Sequence, residues 1–135
     1  MAKILVIDDE PHVRALLDMR LRHQGYEVLF AESGRKGLEL YRHEHPDVIV
    51  LDLRMPELDG VEVLKEIRRV DLKQPVIIFT GDITPEAERQ VRGLGVSEFI
   101  VKGSSMNFLV DTLKCLIKPS ILVMSSSAVI ETLAS

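Results

Sequence analysis

The stretch 48-VIVLDLRMPELDG-60 decides the fold of this chain. Its first four residues form a continuous β-branched and apolar run, which is typical of a strand that is covered on both faces. Asp52 follows this run directly, and Met55–Pro56 with Asp59–Gly60 predict a turn and the start of a helix. A buried strand that ends in a carboxylate and leads into a helix indicates a parallel α/β sheet.

The same pattern recurs along the whole chain. Lys3–Ile7 and Val76–Phe79 are further continuous runs, and Glu27–Phe30 and Glu98–Val101 are weaker ones. Apolar residues recur at helical spacing between the runs. They are Val13, Leu16, Leu17 and Leu21 after Pro11, Leu38 and Tyr41 after Ser33, Val63, Leu64 and Ile67 after Asp59, Val91 after Thr84–Pro85, and Leu109, Leu113, Leu116 and Ile117 after Ser104–Ser105.

Five successive βα units predict a flavodoxin-like, doubly wound α/β fold with helices on both faces of a five-stranded parallel sheet. We expect the strand order 2-1-3-4-5, although the pattern alone leaves other doubly wound orders open. This order places the topological switch between the first and third strands, where ligands of such sheets bind. Arg68–Arg69, after the third helical pattern, are expected to be a solvated helix end.

The length of 135 residues suits one domain with a single sizeable core. Lys118–Pro119 ends the last helical pattern, so we predict a domain over residues 1–118 and an apolar tail over 119–135. Ile121–Met124 makes the tail too apolar for an ordinary flexible linker. It is expected to be an extra helix, a segment for homodimerisation, or the start of a linker to a missing downstream domain.

Charge and cysteine content restrict the partners and the compartment. The net charge of −4 argues against direct binding of nucleic acid, which depends on clustered Lys and Arg. The single Cys115 cannot form an internal disulfide, and the run Ile4–Ile7 is too short for a signal-peptide core. We therefore expect a cytoplasmic protein that does not enter a membrane.

Polar side chains stand where the apolar runs stop. Asp8 and Asp9 follow the first run, Asp52 the third, Thr80 the fourth and Lys102 the fifth. Because the C-terminal ends of parallel strands share one edge of a sheet, these residues are expected to form one site. Three carboxylates, a hydroxyl and an ammonium would converge there.

This set of side chains suits a divalent cation and a phosphoryl group. Mg²⁺, with Mn²⁺ as an alternative, prefers oxygen ligands and is commonly held by one or two carboxylates. Asp9 and Asp52 would supply carboxylates, Asp8 would orient a metal-bound water, and the backbone carbonyl of Arg54 would complete the protein ligands. Asp52 could also act as a nucleophile toward phosphorus, because carboxylates form aspartyl phosphates.

Over residues 2–118, the chain resembles the receiver domain of two-component response regulators, including chemotaxis regulators, and four motifs carry the resemblance. They are VIDDE at 6–10, DLRMPELDG at 52–60, FTGD at 79–82 and FIVK at 99–102. The resemblance implies that Asp52 is the phosphoacceptor, that Asp8 and Asp9 lie in the metal pocket and that Lys102 contacts the phosphoryl group. It also implies that Thr80 and Phe99 form a switch that alters the surface of the fourth helix, fifth strand and fifth helix.

The resemblance further implies partners and a mode of action. A sensor histidine kinase or a phosphotransfer protein would supply the phosphoryl group, and a downstream effector or a missing output domain would respond. The chain would phosphorylate and dephosphorylate itself, and it would not be an enzyme acting on another substrate. One departure is Gly103, where the family normally has a proline after a cis peptide bond; we expect a trans bond here or a loop of different shape.

Two other functions remain open at this point. One is a degenerate receiver that binds proteins independently of phosphorylation, which the replacement of proline by Gly103 keeps in view. The other is a phosphatase with an aspartyl nucleophile. Such enzymes need a second acid two residues after the nucleophile, and here Asp52 is followed by Leu53 and Arg54.

Overall fold

The computed structural model describes residues 1–81, 84–103 and 106–117. Strands and helices alternate through this part of the chain. The strands are β1 (Lys3–Ile7), β2 (Glu27–Ala31), β3 (Val48–Leu51), β4 (Val76–Thr80) and β5 (Glu98–Val101). The helices are α1 (Pro11–His23), α2 (Gly34–Glu44), α3 (Gly60–Val70), α4 (Pro85–Leu94) and α5 (Met106–Leu116).

The five strands form one sheet in the order β2-β1-β3-β4-β5, and every neighbouring pair is parallel. The predicted fold class and strand order are therefore confirmed. Strands β2 and β4 each extend one residue beyond the predicted runs, to Ala31 and Thr80. Thr80 is thus the last residue of a strand and not the first residue after it.

Two apolar layers hold helices on both faces of the sheet. One layer packs α2, α3 and α4 against alternate strand residues such as Ile7, Leu51 and Ile78. The other packs α1 and α5 against the intervening residues, among them Val6 and Val50. Burial on both faces explains why the strands are continuous apolar runs and do not alternate with polar residues.

Local signals in the sequence place the helix starts. The side chains of Ser33, Asp59 and Thr84 each accept a hydrogen bond from a backbone N–H three residues later, as predicted for helix caps. Pro11 begins α1. Leu16 recurs at helical spacing with Leu17 but lies outside the buried face of α1, because it is 43% exposed while Leu17 is fully buried.

Two predictions concern parts of the chain outside the described residues. They are the Ser104–Ser105 cap and the apolar tail over 119–135. Within the described ranges, none of the helices is long and apolar enough to cross a membrane.

Candidate functional site

Strand register brings the predicted residues to one edge of the sheet. Ile7 pairs with Leu51, so that Asp8 and Asp52 leave adjacent strands side by side. The Asp52 N–H donates to the carbonyl of Ile7 over 3.0 Å, and the Lys102 N–H donates to the carbonyl of Thr80 over 2.8 Å. The backbone of the sheet therefore fixes where each of these side chains begins.

Asp52 is buried, with 2% of its surface exposed, and both of its carboxylate oxygens have polar contacts within the protein. Thr80 Oγ1 donates to Asp52 Oδ1 over 2.9 Å, and the Arg54 N–H donates to the same oxygen over 3.3 Å. Lys102 Nζ lies 3.2 Å from Asp52 Oδ2. The structure thus joins the predicted phosphoacceptor to the predicted hydroxyl and to the predicted cation.

The Lys102 ammonium contacts three carboxylates. Its Nζ lies 2.5 Å from Glu10 Oε1, 3.0 Å from Asp8 Oδ2 and 3.2 Å from Asp52 Oδ2. Burial by itself lowers the pKa of Lys102, but the hydrogen bonds to Glu10 and Asp8 and the nearby negative charges outweigh it. The net result is a pKa above the ordinary value, so Lys102 stays charged.

The two acids nearest to Lys102 shift in opposite directions. Burial raises the pKa of Asp8 and the charge of Asp52 adds to this effect, although the Glu10 N–H and Lys102 work against it. The hydrogen bond from Lys102 lowers the pKa of Glu10, which lies nearer to solvent. Asp8 is therefore the carboxylate for which ionisation is unfavourable without a further cation.

The acids at this edge fit a divalent cation. Carboxylate oxygens of Asp8, Glu10 and Asp52 lie within 4.8 Å of one another, close enough to share one metal ion. Asp9 is not in this group; it lines the open cavity of about 520 Å³ beside it, together with Arg54 and Lys102. Clustered hard oxygen donors are the ligands that Mg²⁺ prefers.

Glu10 is the site residue that the sequence analysis did not assign. It directly follows the predicted pair Asp8–Asp9, and its backbone N–H donates to Asp8 Oδ1 over 2.9 Å. An aspartate that accepts from the N–H two residues later forms a local turn, and this turn leads into α1. This turn is a local signal for the backbone of Glu10, whereas the contact of its side chain with Lys102 joins residues 92 positions apart.

Thr80 and Phe99 lie on the same side of the sheet. Phe99 belongs to the apolar layer that contains Ala87 and Val91 of α4, and its ring lies 5.9 Å from the guanidinium carbon of Arg92. Strand alternation places Thr80 on this side too, because Val76 and Ile78 of the same strand belong to that layer. The hydroxyl that contacts Asp52 and the buried ring therefore both lie on the side of the sheet that α2, α3 and α4 cover.

Gly60 packs against the backbone that carries Asp52. A Cβ atom at Gly60 would lie 2.2 Å from the Asp52 carbonyl oxygen and 2.7 Å from Leu53 Cα. The Gly60 N–H also donates to the Leu53 carbonyl over 3.0 Å. The glycine of the DLRMPELDG motif thus allows the start of α3 to lie directly on the loop after β3.

The bond between Lys102 and Gly103 is trans, as expected from the absence of proline. Gly103 has a φ of +97°, a conformation that side-chain-bearing residues rarely adopt. The loop after β5 therefore differs from one built on a cis-proline, but the side chain of Lys102 still reaches Asp52.

Comparison with known proteins identifies the family. Residues 4–114 match the family model described as the response regulator receiver domain. This chain belongs to that family. The matched range includes all four motifs and every site residue predicted from them.

Individual relatives agree with this receiver assignment. The chain is 35% identical over 127 residues to the alkaline phosphatase synthesis transcriptional regulatory protein PhoP of Bacillus subtilis, covering 93% of the chain and 52% of PhoP. The chain spans about half the length of the curated relatives it matches, or less.

Solved structures agree as well. The chemotaxis protein CheY4 of Vibrio cholerae superimposes with a TM-score of 0.80 at 30% identity, covering 87% of this chain and 99% of CheY4. The response regulator TrrA of Thermotoga maritima, solved in complex with Mg²⁺ and BeF, gives a TM-score of 0.79 at 32% identity, covering 87% of this chain and all of TrrA. The fold of this chain is therefore shared with both of these response regulators.

Proposed function

We propose that this receiver accepts a phosphoryl group on Asp52 from the phosphohistidine of a sensor histidine kinase or a phosphotransfer protein. The observation that carries the proposal is the position of the Asp52 carboxylate. It contacts Thr80 Oγ1 at 2.9 Å and Lys102 Nζ at 3.2 Å, and it lines a cavity that is open to solvent. A buried carboxylate with a donor on each oxygen and access from outside suits attack on phosphorus.

The transfer forms one bond and breaks one. A carboxylate oxygen of Asp52 attacks phosphorus, the P–N bond to the donor histidine breaks, and the imidazole leaves with the electron pair and takes up a proton. Lys102 and Thr80 then donate to the phosphoryl oxygens, whose charge they stabilise. Water later attacks the same phosphorus, the bond to Asp52 breaks, and inorganic phosphate leaves.

We expect Mg²⁺ to be the cofactor, held by Asp8, Asp9 and Asp52 with the carbonyl of Arg54. When bound, Mg²⁺ would neutralise charge on the transferring phosphoryl group. The acid cluster and the raised pKa of Asp8 support this assignment, because a cation removes the cost of ionising neighbouring carboxylates. Glu10 lies in the same cluster and is a further candidate ligand.

Phosphorylation would then switch the surface formed by α4, β5 and α5. Thr80 would follow the phosphoryl oxygens and change the space available to Phe99, which packs in the layer that includes α4. Val101, Phe108 and Leu116 expose apolar side chains on β5 and α5, as a partner-binding surface requires. The switch is a population shift, so the partner must bind one state better than the other.

The output of the switch follows from the relatives only by analogy. PhoP is a transcriptional regulatory protein, and this chain spans 52% of its length. We propose that the receiver acts either on a separate effector protein or on an output domain in the same polypeptide. Its own chemistry would be limited to phosphorylation and dephosphorylation of Asp52, in a cytoplasmic protein without direct contact to nucleic acid.

The decisive experiment is phosphorylation by a small donor. The full chain is incubated with Mg²⁺ and acetyl phosphate, and the intact mass is recorded over time. We expect the gain of one phosphoryl group, its loss in Asp52→Asn, and its retention in Asp111→Asn, which removes an exposed aspartate of α5.

Other outcomes would select the competing functions. A phosphorylation-independent binding module would be indicated if no Asp52-dependent mass gain occurred and if Asp52→Asn bound a partner protein as well as the wild-type chain does. Many turnovers of a small phosphomonoester per molecule of protein would indicate a phosphatase.

A further inference from the structure

Glu10 makes the shortest contact of the Lys102 ammonium. Its Oε1 lies 2.5 Å from Nζ, compared with 3.0 Å for Asp8 and 3.2 Å for Asp52. An ammonium has three N–H donors, so these three carboxylates satisfy all of them. Asp8 and Asp52 also belong to the chemistry proposed above, whereas the contact from Glu10 to the ammonium is not part of that chemistry.

The backbone of Glu10 is held on both sides. Its N–H donates to Asp8 Oδ1 over 2.9 Å, and its carbonyl accepts from the N–H groups of Val13 and Arg14 over 3.2 and 3.1 Å. Glu10 therefore occupies a fixed place at the N-terminus of α1. A partner whose backbone is fixed in this way can hold a long, flexible side chain in one position.

On its C-terminal side, Lys102 is followed by a glycine, which has no side chain. Gly103 follows with a φ of +97°, and a Cβ atom placed there would meet nothing within 4 Å. The hydrogen bond from the Lys102 N–H to Thr80 restrains the other side. The position of Nζ is thus held by the acids that it contacts.

We propose that Glu10 is a positioning residue that holds the Lys102 ammonium at the mouth of the site during phosphoryl transfer. This inference rests on the proposed phosphorylation of Asp52. Lys102 would exchange the Asp52 oxygen for a phosphoryl oxygen while its contact to Glu10 persists. The ammonium would therefore stay in position from one transfer to the next. Gly103 stands where the family normally has a proline, so this position would depend on Glu10.

Two substitutions separate the contact from the charge. Glu10→Asp keeps the charge but shortens the side chain by one methylene, and Glu10→Gln keeps the length but removes the charge. If Glu10 positions Lys102, both variants should lower the maximal rate of phosphorylation by acetyl phosphate by about tenfold. This loss is smaller than the 10²-fold that a misplacement of about 1 Å can cause. The concentration of acetyl phosphate that gives half the maximal rate should not rise.

A matched control lies at the opposite end of the sheet. Lys3 Nζ forms an ion pair of 3.2 Å with Glu44, whose side chain is 39% exposed, close to the 44% of Glu10. Glu44→Gln therefore removes a similar exposed ion pair away from the site. We expect its phosphorylation rate to equal that of the wild-type chain.

A second readout does not depend on phosphorylation. Reductive methylation of the metal-free chain, quantified by peptide mass spectrometry, reports how accessible and how basic each lysine is. Only an amine that is uncharged and free of contacts reacts, so we expect Lys102 to be methylated several-fold faster in both Glu10 variants than in the wild-type chain. The methylation rate of Lys3 in the same samples should be unchanged.

Three results would overturn the inference. One is a wild-type rate and unchanged Lys102 methylation in both Glu10 variants. Another is a rate that falls in Glu10→Gln but not in Glu10→Asp, which would assign the effect to charge alone. A third is a higher Mg²⁺ requirement with unchanged Lys102 methylation, which would make Glu10 a metal ligand. By contrast, failure of the wild-type chain to gain a phosphoryl group would refute the proposed function itself.

Discussion

Asp8 is a carboxylate that the fold keeps almost entirely out of water, with 2% of its surface exposed. Burial and the charge of Asp52 raise its pKa above 3.8, so the folded chain binds this proton more tightly than the unfolded chain. The contribution of Asp8 to stability therefore falls as the pH rises through the window above 3.8. At neutral pH its ionised form opposes folding unless a cation is bound in addition to the Lys102 ammonium.

Asp8→Asn should consequently raise the free energy of unfolding at pH 7 in the presence of a chelator. The advantage should shrink as the pH falls toward 3.8, because the wild-type side chain becomes neutral as well. Added Mg²⁺ should stabilise the wild-type chain more than the variant. Urea denaturation at several pH values tests this, and a variant that is less stable at pH 7 without metal would contradict it.

Gly60 offers a second test at the scale of single residues. A Cβ atom there would lie 2.2 Å from the Asp52 carbonyl oxygen, and this contact is with backbone rather than with a flexible side chain. Gly60→Ala should lower the free energy of unfolding by about 2–3 kcal/mol, as overpacking commonly does. The phosphorylation rate of Asp52 should fall too, because the loop that carries the carboxylate must move.

The control for this substitution is Gly93, which lies inside α4. A Cβ atom there meets nothing within 4 Å. Gly93→Ala should therefore raise the free energy of unfolding by about 0.5–1 kcal/mol, since alanine favours the helix. If chemical denaturation showed equal effects of the two substitutions, steric contact at Gly60 would not be the cause.

At the scale of elements, Arg68 joins the C-terminal ends of two helices. Its guanidinium donates to the carbonyls of Leu94 and Gly95 at the end of α4, the shortest contact being 2.7 Å to Gly95. It also donates to the carbonyls of Asp71 and Gln74, over 3.0 and 2.9 Å, in the loop that leads to β4. The expectation that Arg68 lies at a solvated helix end is therefore wrong.

Arg68→Gln should destabilise the chain, because four carbonyls lose a charged donor, three of them in half-buried hydrogen bonds and that of Gly95 in an exposed one. We expect the free energy of unfolding to fall by about 2–3 kcal/mol, in line with hydrogen bonds to charged groups. Hydrogen exchange should accelerate at the C-terminal turn of α4. Arg69→Gln is the matched control: Arg69 is exposed, and among the described residues it forms only a surface ion pair with Glu66. A change of at most about 0.5 kcal/mol is therefore expected.

Arg68 and Arg69 also show how far the sequence predicts this molecule. Strands covered on both faces appear as continuous apolar runs, and the rule that strand ends share an edge was enough to bring Asp52, Thr80 and Lys102 together. Long side chains are different. Nothing in a local pattern tells which of two adjacent arginines turns inward, or that Glu10 reaches an ammonium 92 positions away, because both depend on packing between distant elements.

At the scale of the whole molecule, the proposed switch makes Thr80 the link between Asp52 and α4. Thr80→Val keeps the shape of the side chain but removes the hydroxyl that donates to Asp52 over 2.9 Å. Removing this donor from a fully buried site leaves the Asp52 carboxylate, Lys102 and the acid cluster in place. The variant should therefore still accept a phosphoryl group while the response of α4 is lost.

The test compares hydrogen exchange of α4 with and without Mg²⁺ and beryllofluoride, which mimics the phosphoryl group. In the wild-type chain we expect exchange in α4 and around Phe99 to change upon addition of the mimic, and in Thr80→Val we expect a change only next to Asp52. Thr112→Val is the control, because Thr112 Oγ1 donates to the Phe108 carbonyl of its own helix, α5, over 2.7 Å. A full response of α4 in Thr80→Val would show that the signal reaches this helix without the hydroxyl, and the proposed route through Thr80 and Phe99 would then have to be abandoned.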